Sequence, residues 1–130
     1  MILYKVIKVF LQKDIFSRYQ QVIDLDYVKS NFRELFRVWT SLNTLMSTSD
    51  TDKSVSDLEI QYYTDNPSDL SDLTKDIFDK LSSTEISLEQ AKAYLESFSE
   101  YRQAQNIAEI AVQVMEGYKP FSELITVTTL

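Results

Sequence analysis

Apolar and polar residues alternate with helical spacing along most of this 130-residue chain. In residues 2–11 the apolar side chains recur every three or four positions, with Lys5 and Lys8 on the opposite side, which predicts a first helix. A second short helix is predicted over residues 14–22, and residues 24–30 are predicted to form a connector. The second helix is expected to bury Ile15, Phe16 and Tyr19.

The clearest helix of the first half is predicted from residue 32 to residue 45. Its apolar residues form one broad face, made of Phe32, Leu35, Phe36, Trp39, Leu42 and Leu45. Trp39 lies at the centre of this face and is predicted to be in the core, because large aromatic side chains dominate core energetics. Residues 47–56 are rich in serine, threonine and aspartate and are predicted to form a loop.

The middle of the chain is predicted to hold two further helices. Ser56 and Glu59 fit a capping box that begins a helix through Leu58, Ile60 and Tyr62. Pro67 ends this helix, because the residue before a proline avoids the helical conformation. Ser68 is predicted to cap the next helix, whose inward residues are Leu70, Leu73, Ile77, Phe78 and Leu81.

Four aspartates accompany that next helix and raise the question of a calcium loop. They are Asp69, Asp72, Asp76 and Asp79. Their spacing is helical, and the glycine that such loops require is missing. We therefore interpret these aspartates as a solvated helix face.

The last third of the chain is predicted to form one long helix and a short one. Ser87 and Gln90 fit a second capping box, and the helical pattern continues from Leu88 to Gly117, a residue type that usually ends helices. Pro120 then begins another helix through Phe121, Leu124 and Ile125. The chain is thus expected to be all-α, with a small bundle of about six helices over residues 1–98 and a helical hairpin over residues 99–130.

After residue 103 the long helix becomes apolar on several sides, so it needs burial on several sides. One neighbour is expected to be the helix that begins at Pro120. The other is either the body of the domain or a second subunit. We predict a self-association surface in residues 101–125, made of Tyr101, Ile107, Ile110, Val114, Phe121 and Leu124.

Composition argues against most kinds of catalytic site. The chain has no histidine, no cysteine and a single glycine. Phosphate-binding loops need several glycines, zinc sites draw mainly on thiolate and imidazole, and cysteine or histidine nucleophile systems need those residues. We expect no catalytic, metal or cofactor site. An enzyme with paired carboxylates is the remaining catalytic alternative, but no acidic residue sits on the apolar background that such catalysis uses.

The formal net charge of −7 is unevenly distributed. Residues 1–37 hold seven Lys/Arg against four Asp/Glu, whereas residues 38–100 hold four against thirteen. An acidic chain binds phosphates poorly, so little direct DNA binding is expected. The basic residues near the start form either a local patch or ordinary solvated helix faces. They are Lys5, Lys8, Lys13, Arg18, Arg33 and Arg37.

Nothing in the chain resembles a secretory signal or a membrane span, so a cytoplasmic protein that does not contact membranes is expected.

Residues 125–130 are mostly β-branched and end on an apolar residue. We expect the chain to be the N-terminal part of a longer protein. The alternative is a small protein whose last residues fray.

Three passages of the chain carry a family resemblance. The first is VIKVFLQKDIFSRYQQVIDLDYVKSNFRELFRVWTSL, the second runs over residues 54–63, and the third is EYRQAQNIAEIAVQVMEGYKPFSEL. Together they resemble the N-terminal domain of hexameric replicative DNA helicases of the DnaB type, especially phage-encoded ones. The shared features are patterns of apolar spacing. The chain departs from the family in its more acidic middle helices and its short second hairpin arm.

The resemblance implies a non-catalytic collar domain that assists ring assembly during DNA replication, in the host cytoplasm if the protein is from a phage. In the family this domain pairs through its hairpin into a trimer of dimers and docks primase or a helicase loader. The motor domain of the RecA type is absent from this chain. The alternative is a free-standing acidic helical adaptor or inhibitor, for example a viral one, that binds a host protein.

Overall fold

The computed structural model of the protein describes residues 2–128, apart from the side chains at positions 2, 88, 127 and 128. Within that range every regular element is a helix, so the predicted all-α class is confirmed. The α-helices are α1 Ile2–Phe10, α2 Lys13–Tyr19, α3 Leu25–Asn31, α4 Phe36–Ser47, α5 Val55–Asp65, α6 Asp72–Ser83, α7 Leu88–Met115 and α8 Phe121–Thr128. A single 3₁₀ turn, Arg33–Leu35, leads into α4.

The chain divides into two compact units, Met1–Ala93 and Tyr94–Leu130. The first unit contains α1 to α6 and the beginning of α7. The second unit contains the rest of α7, a turn and α8. From the sequence, the boundary between bundle and hairpin was expected after residue 98, within one compact domain.

The core of the first unit forms around α1, which packs against α2, α4 and α6. Phe10 of α1 lies 5.8 Å from the Phe16 ring in an edge-on arrangement and 5.5 Å from the Trp39 ring, measured between centroids. All three rings are buried. Such aromatic pairs add about 0.5–1.5 kcal/mol beyond the burial of their area. The prediction that Trp39 is a core residue is therefore confirmed.

The prediction of a connector over residues 24–30 is wrong, because this segment contains α3. Asp24 begins the helix, and its carboxylate accepts a hydrogen bond of 2.7 Å from the Tyr27 backbone N–H. Val28 is the buried residue of this helix. A helix of two turns with one buried position leaves too short a periodic pattern to detect in the sequence.

Two helix starts also differ from the predicted ones. Ser54, not Ser56, caps α5, where its Oγ accepts the Asp57 N–H at 3.2 Å while the Asp57 carboxylate accepts the Ser54 N–H at 2.9 Å. Ser71, not Ser68, caps α6 by accepting the Thr74 N–H at 3.3 Å. The predicted break at Pro67 is confirmed, since α5 ends at Asp65.

Two of the predicted inward residues of the middle helices face solvent. Leu70 is 88% exposed and Leu73 is 63% exposed, whereas Ile77, Phe78 and Leu81 are buried as predicted. Leu70 is exposed because it lies in the loop before α6, outside the helix to which it was assigned. Tyr19 is only half-buried, which corrects the expectation that α2 buries it.

Two of the basic residues for which the sequence left open a local patch or solvated helix faces bind the carboxyl ends of helices. The Lys8 ammonium donates to the backbone oxygens of Ser82, at 3.2 Å, and Thr84, at the end of α6. The Lys13 ammonium donates to the Met46 oxygen at 2.6 Å, near the end of α4. Cations at these positions satisfy carbonyls that have no partner within the helix.

In the second unit α7 ends in a Schellman motif at the predicted glycine. Gly117 has a φ of 81°, the left-handed conformation that favours glycine. The Tyr118 N–H donates to the Gln113 oxygen at 2.9 Å, and the Gly117 N–H donates to the Val114 oxygen at 3.1 Å. Pro120 directly precedes α8, as predicted. Residues 129 and 130 of the predicted apolar ending lie outside the described residues.

None of the helices found in residues 2–128 has both the length and the apolar character needed to cross a bilayer.

Candidate interaction surfaces

The second unit carries a group of large apolar side chains that face solvent on both sides of the Gly117 turn. We call this group the C-terminal surface. It consists of Val112, Met115, Tyr118, Phe121 and Ile125. Met115 is 86% exposed and Phe121 is 63% exposed. An apolar group of this kind on a folded chain is typical of a protein interface.

The self-association residues predicted from the sequence fall into three classes. Tyr101 and Phe121 are exposed, whereas Ile107, Val114 and Leu124 are half-buried. Ile110, placed at the centre of the predicted surface, is only 8% exposed. It is covered by the chain itself and has little area left for a partner. Because Ile110 is buried, we place the candidate surface around the Gly117 turn and not around Ile110.

Val112, Met115 and Tyr118 were not among the surface residues predicted from the sequence. Val112 and Met115 are three positions apart, so they are neighbours on α7. A shallow depression beside Val112 is bordered by polar side chains, including Gln105, Glu109 and Glu116. Apolar centres with polar borders are common in protein interfaces. The pattern was visible in the sequence, but a helix that is apolar on several sides does not reveal which side its own chain covers.

The first unit contains a second candidate surface, which we call the arginine groove. One wall comes from the end of α3 and the start of α4, with Lys29, Arg33 and Arg37. The other wall is the loop between α5 and α6 together with the first turn of α6, which contribute the exposed residues Leu70 and Leu73. From the sequence, Arg33 and Arg37 were expected in either a local basic patch or solvated helix faces, and the two leucines were expected in the core.

Asp69 fixes the loop wall of the arginine groove. Its carboxylate accepts hydrogen bonds from the Tyr62 hydroxyl, the Ser71 backbone N–H at 3.0 Å, the Ser71 hydroxyl at 2.8 Å and the Thr74 hydroxyl at 2.7 Å. These hydrogen bonds, of which the one from Tyr62 contributes most, hold the pKa of the Asp69 carboxyl well below its usual range. Burial, with help from the neighbouring Asp69, raises the pKa of the Tyr62 hydroxyl.

The second carboxylate of this wall is also held by its own chain. Asp65 accepts hydrogen bonds from the Ser41 hydroxyl at 2.8 Å and from the Gln61 amide at 2.9 Å. Asp69 is therefore held by groups of α5, the loop and α6, whereas Asp65 is held by Gln61 of α5 and Ser41 of α4. Neither is needed to neutralise a cation across the groove.

The cations of the helix wall have a different environment. Lys29 lies over the Phe36 ring, with its ammonium 5.7 Å from the ring centroid. In the part of the chain that the structure describes, neither Arg33 nor Arg37 forms an ion pair or a side-chain hydrogen bond. Both residues are exposed. Each could bind a carboxylate of another molecule through two parallel hydrogen bonds.

Neither surface has the arrangement of a metal centre, since residues 2–128 contain no group of three or more acidic side chains close enough to hold an ion.

Comparison of the chain with protein-family models, with curated protein sequences and with solved structures finds no match.

Proposed function

We propose that this protein is a non-catalytic assembly domain that pairs with a second copy through its C-terminal surface. In this proposal it forms part of the collar of a hexameric replicative DNA helicase of the DnaB type, encoded by a phage. The observation that carries the pairing is the exposure of five large apolar side chains on both sides of the Gly117 turn. Water disfavours such exposure, and a second copy of the same surface would remove it.

The energetics favour a modest dimer. Complete burial of a large aliphatic or aromatic side chain contributes about 1.5–3 kcal/mol. Association costs about 4–15 kcal/mol in lost translational and rotational freedom. A two-fold axis through the C-terminal surface would use each residue twice and double the buried area. Linkage of several copies in a ring would raise their effective concentration, so a weak pair would suffice there.

The role in replication follows from the family resemblance. The opening passage around Arg33, Phe36 and Trp39 and the passage through Gly117 resemble the collar domain in their order along the chain. A collar needs no phosphate loop, and this chain has one glycine in all. ATP hydrolysis would belong to a motor domain, and docking of primase or a helicase loader would belong to this domain.

The location of the pairing surface can be tested by cross-linking, because the chain has no cysteine. Met115→Cys places one thiol on the C-terminal surface, and Ile60→Cys places one on an exposed apolar position of α5 as the control. Under mild oxidation, Met115→Cys should give a disulfide-linked dimer far faster than Ile60→Cys. Equal rates for the two variants would contradict pairing through this surface.

The helicase assignment has its own test. The reading frame downstream of Leu130 should continue into a glycine-rich phosphate-binding motif followed by lysine. A stop codon directly after Leu130 would contradict the collar assignment and favour a free-standing adaptor.

A further inference from the structure

We propose that the arginine groove binds an acidic amphipathic segment of a partner protein. Carboxylates of that segment would pair with Arg33 and Arg37, and its apolar residues would cover Leu70 and Leu73. The groove lies entirely within the first unit. The inference therefore stands independently of pairing through the C-terminal surface.

Charge complementarity identifies the sign of the partner. Arg33 begins the 3₁₀ turn and Arg37 is the second residue of α4, so they project four positions apart from one short helical stretch. The acids that also line the groove, Asp65 and Asp69, accept hydrogen bonds from hydroxyl, amide and backbone N–H groups and, within residues 2–128, form no ion pair with either arginine. Two cations at this spacing match two carboxylates on successive turns of a helix.

The exposed leucines require an apolar component in the partner. Leu70 directly precedes Ser71, the residue that caps α6, and Leu73 lies two positions after it. The chain beside the two leucines is held in place, because Asp69 accepts hydrogen bonds from the Ser71 backbone N–H and from the Ser71 and Thr74 hydroxyls. A wall fixed in advance loses little conformational entropy when a ligand binds.

A nucleic acid fits the same groove less well. Glu34, Asp65 and Asp69 line it together with the three cations. A phosphate backbone carries a charge at every nucleotide and would lie close to these carboxylates. A peptide can place its carboxylates beside the arginines alone and its apolar side chains beside the leucines.

The test uses the 130-residue chain and a fluorescein-labelled synthetic helical peptide with leucines on one face and glutamates on the other. A twin peptide carries lysines in place of the glutamates. Fluorescence anisotropy should give saturable binding of the glutamate peptide and at least about tenfold weaker binding of the twin, a difference of about 1.4 kcal/mol. Absence of saturable binding of the glutamate peptide at millimolar concentrations would overturn the proposal.

Two double variants with the same change of net charge locate the site. Arg33→Glu with Arg37→Glu should weaken binding of the glutamate peptide by at least about tenfold, because it replaces two attractive contacts by repulsive ones. Arg18→Glu with Lys75→Glu alters exposed residues outside the groove and should have less than about a threefold effect. Equal weakening by both pairs would overturn the proposal, since only long-range charge would then matter.

A third variant and a competitor complete the design. Leu70→Ser with Leu73→Ser removes the two exposed leucines of the groove without altering charge. This variant should also weaken binding of the glutamate peptide. It tests the site even if the arginine variant fails to fold. Retention of wild-type affinity in this leucine variant would overturn the apolar half of the proposal. Single-stranded oligothymidylate is the competitor. If it binds more tightly than the glutamate peptide, and if Arg33→Glu with Arg37→Glu weakens that binding, the groove is a nucleic-acid site and the proposal is overturned.

Discussion

The Tyr62 hydroxyl donates a hydrogen bond to the carboxylate of Asp69, seven residues farther along the chain. This bond joins the buried face of α5 to the loop that follows Pro67. The same carboxylate accepts the hydroxyl of Thr74 at 2.7 Å, so it also holds the first turn of α6. One aspartate thus connects two helices across a proline break and sets the loop wall of the arginine groove.

The first prediction concerns the dependence of stability on pH. Because the folded-state pKa of Asp69 is depressed, its contribution is fully present above the unfolded pKa of about 4 and is lost as the pH falls towards the folded value. Asp69→Asn should therefore lower the free energy of unfolding most at neutral pH, and the difference from wild type should shrink on acidification. Urea unfolding at a series of pH values measures this difference.

The control for that experiment is Asp79→Asn, which alters an exposed aspartate on α6. It should leave the free energy of unfolding close to the wild-type value at neutral pH. An Asp69→Asn protein whose loss of stability is the same at every pH would show that the carboxylate charge does not contribute.

The second prediction separates two neighbouring serines at the start of α5. Ser54→Ala removes the side chain that accepts the Asp57 N–H and should cost about 1 kcal/mol of stability, the usual value for loss of a helix N-cap. Ser56→Ala changes an exposed residue inside the helix and should be neutral or slightly stabilising, because alanine is the better helix former. Thermal melts of both variants measure the contrast, and the reverse order would disprove the cap.

The third prediction concerns the turn between α7 and α8. A side chain added at Gly117 would meet no atom within 4 Å, so the cost of Gly117→Ala comes from the left-handed backbone alone. That cost is about 1–2 kcal/mol. Gly117→Asn should lose less, because asparagine tolerates this conformation better. Chemical unfolding followed by circular dichroism compares the two, and equal stability of wild type and alanine variant would contradict the φ angle.

The sequence was sufficient to predict the helices that have a broad apolar face or a clear stop signal. Helix α4 follows the face centred on Trp39, and α7 ends at the glycine where its pattern ends. These signals are strong because burial of a whole face and a positive φ each restrict the residue types that a position accepts.

The elements that the sequence did not predict have local causes. Ser54 and Ser56 each have an acidic residue three positions later, so the capping pattern fits both. Which serine caps α5 depends on how the helix packs. Leu58 and Tyr62 are buried and Ile60 is exposed, and this arrangement depends on the neighbouring helices α4 and α6. Likewise Leu70 and Leu73 cannot be distinguished from core leucines by type alone, because single exposed leucines are common on protein surfaces.

The candidate surfaces were only partly predictable for the same reason. The sequence indicated that residues 101–125 carry more apolar surface than one short helix would cover. It could not indicate that Ile110 would be covered by its own chain while Met115 remained exposed. The arginine groove was missed because its walls come from segments about thirty residues apart, which only the tertiary fold brings together.

Self-association through the C-terminal surface is tested most directly by sedimentation equilibrium of wild type beside two variants. Val112→Lys with Met115→Lys places two charges on the surface, and α7 should persist because Glu109 and Glu116 lie three and four positions from residue 112 and can pair with its lysine. Ile60→Lys, which adds one charge at an exposed apolar position of α5, is the control. Wild type and control should show a concentration-dependent dimer, and the double variant should stay monomeric with an unchanged circular dichroism spectrum. A monomeric wild type at high concentration, or a dimer that the double variant retains, would contradict the account.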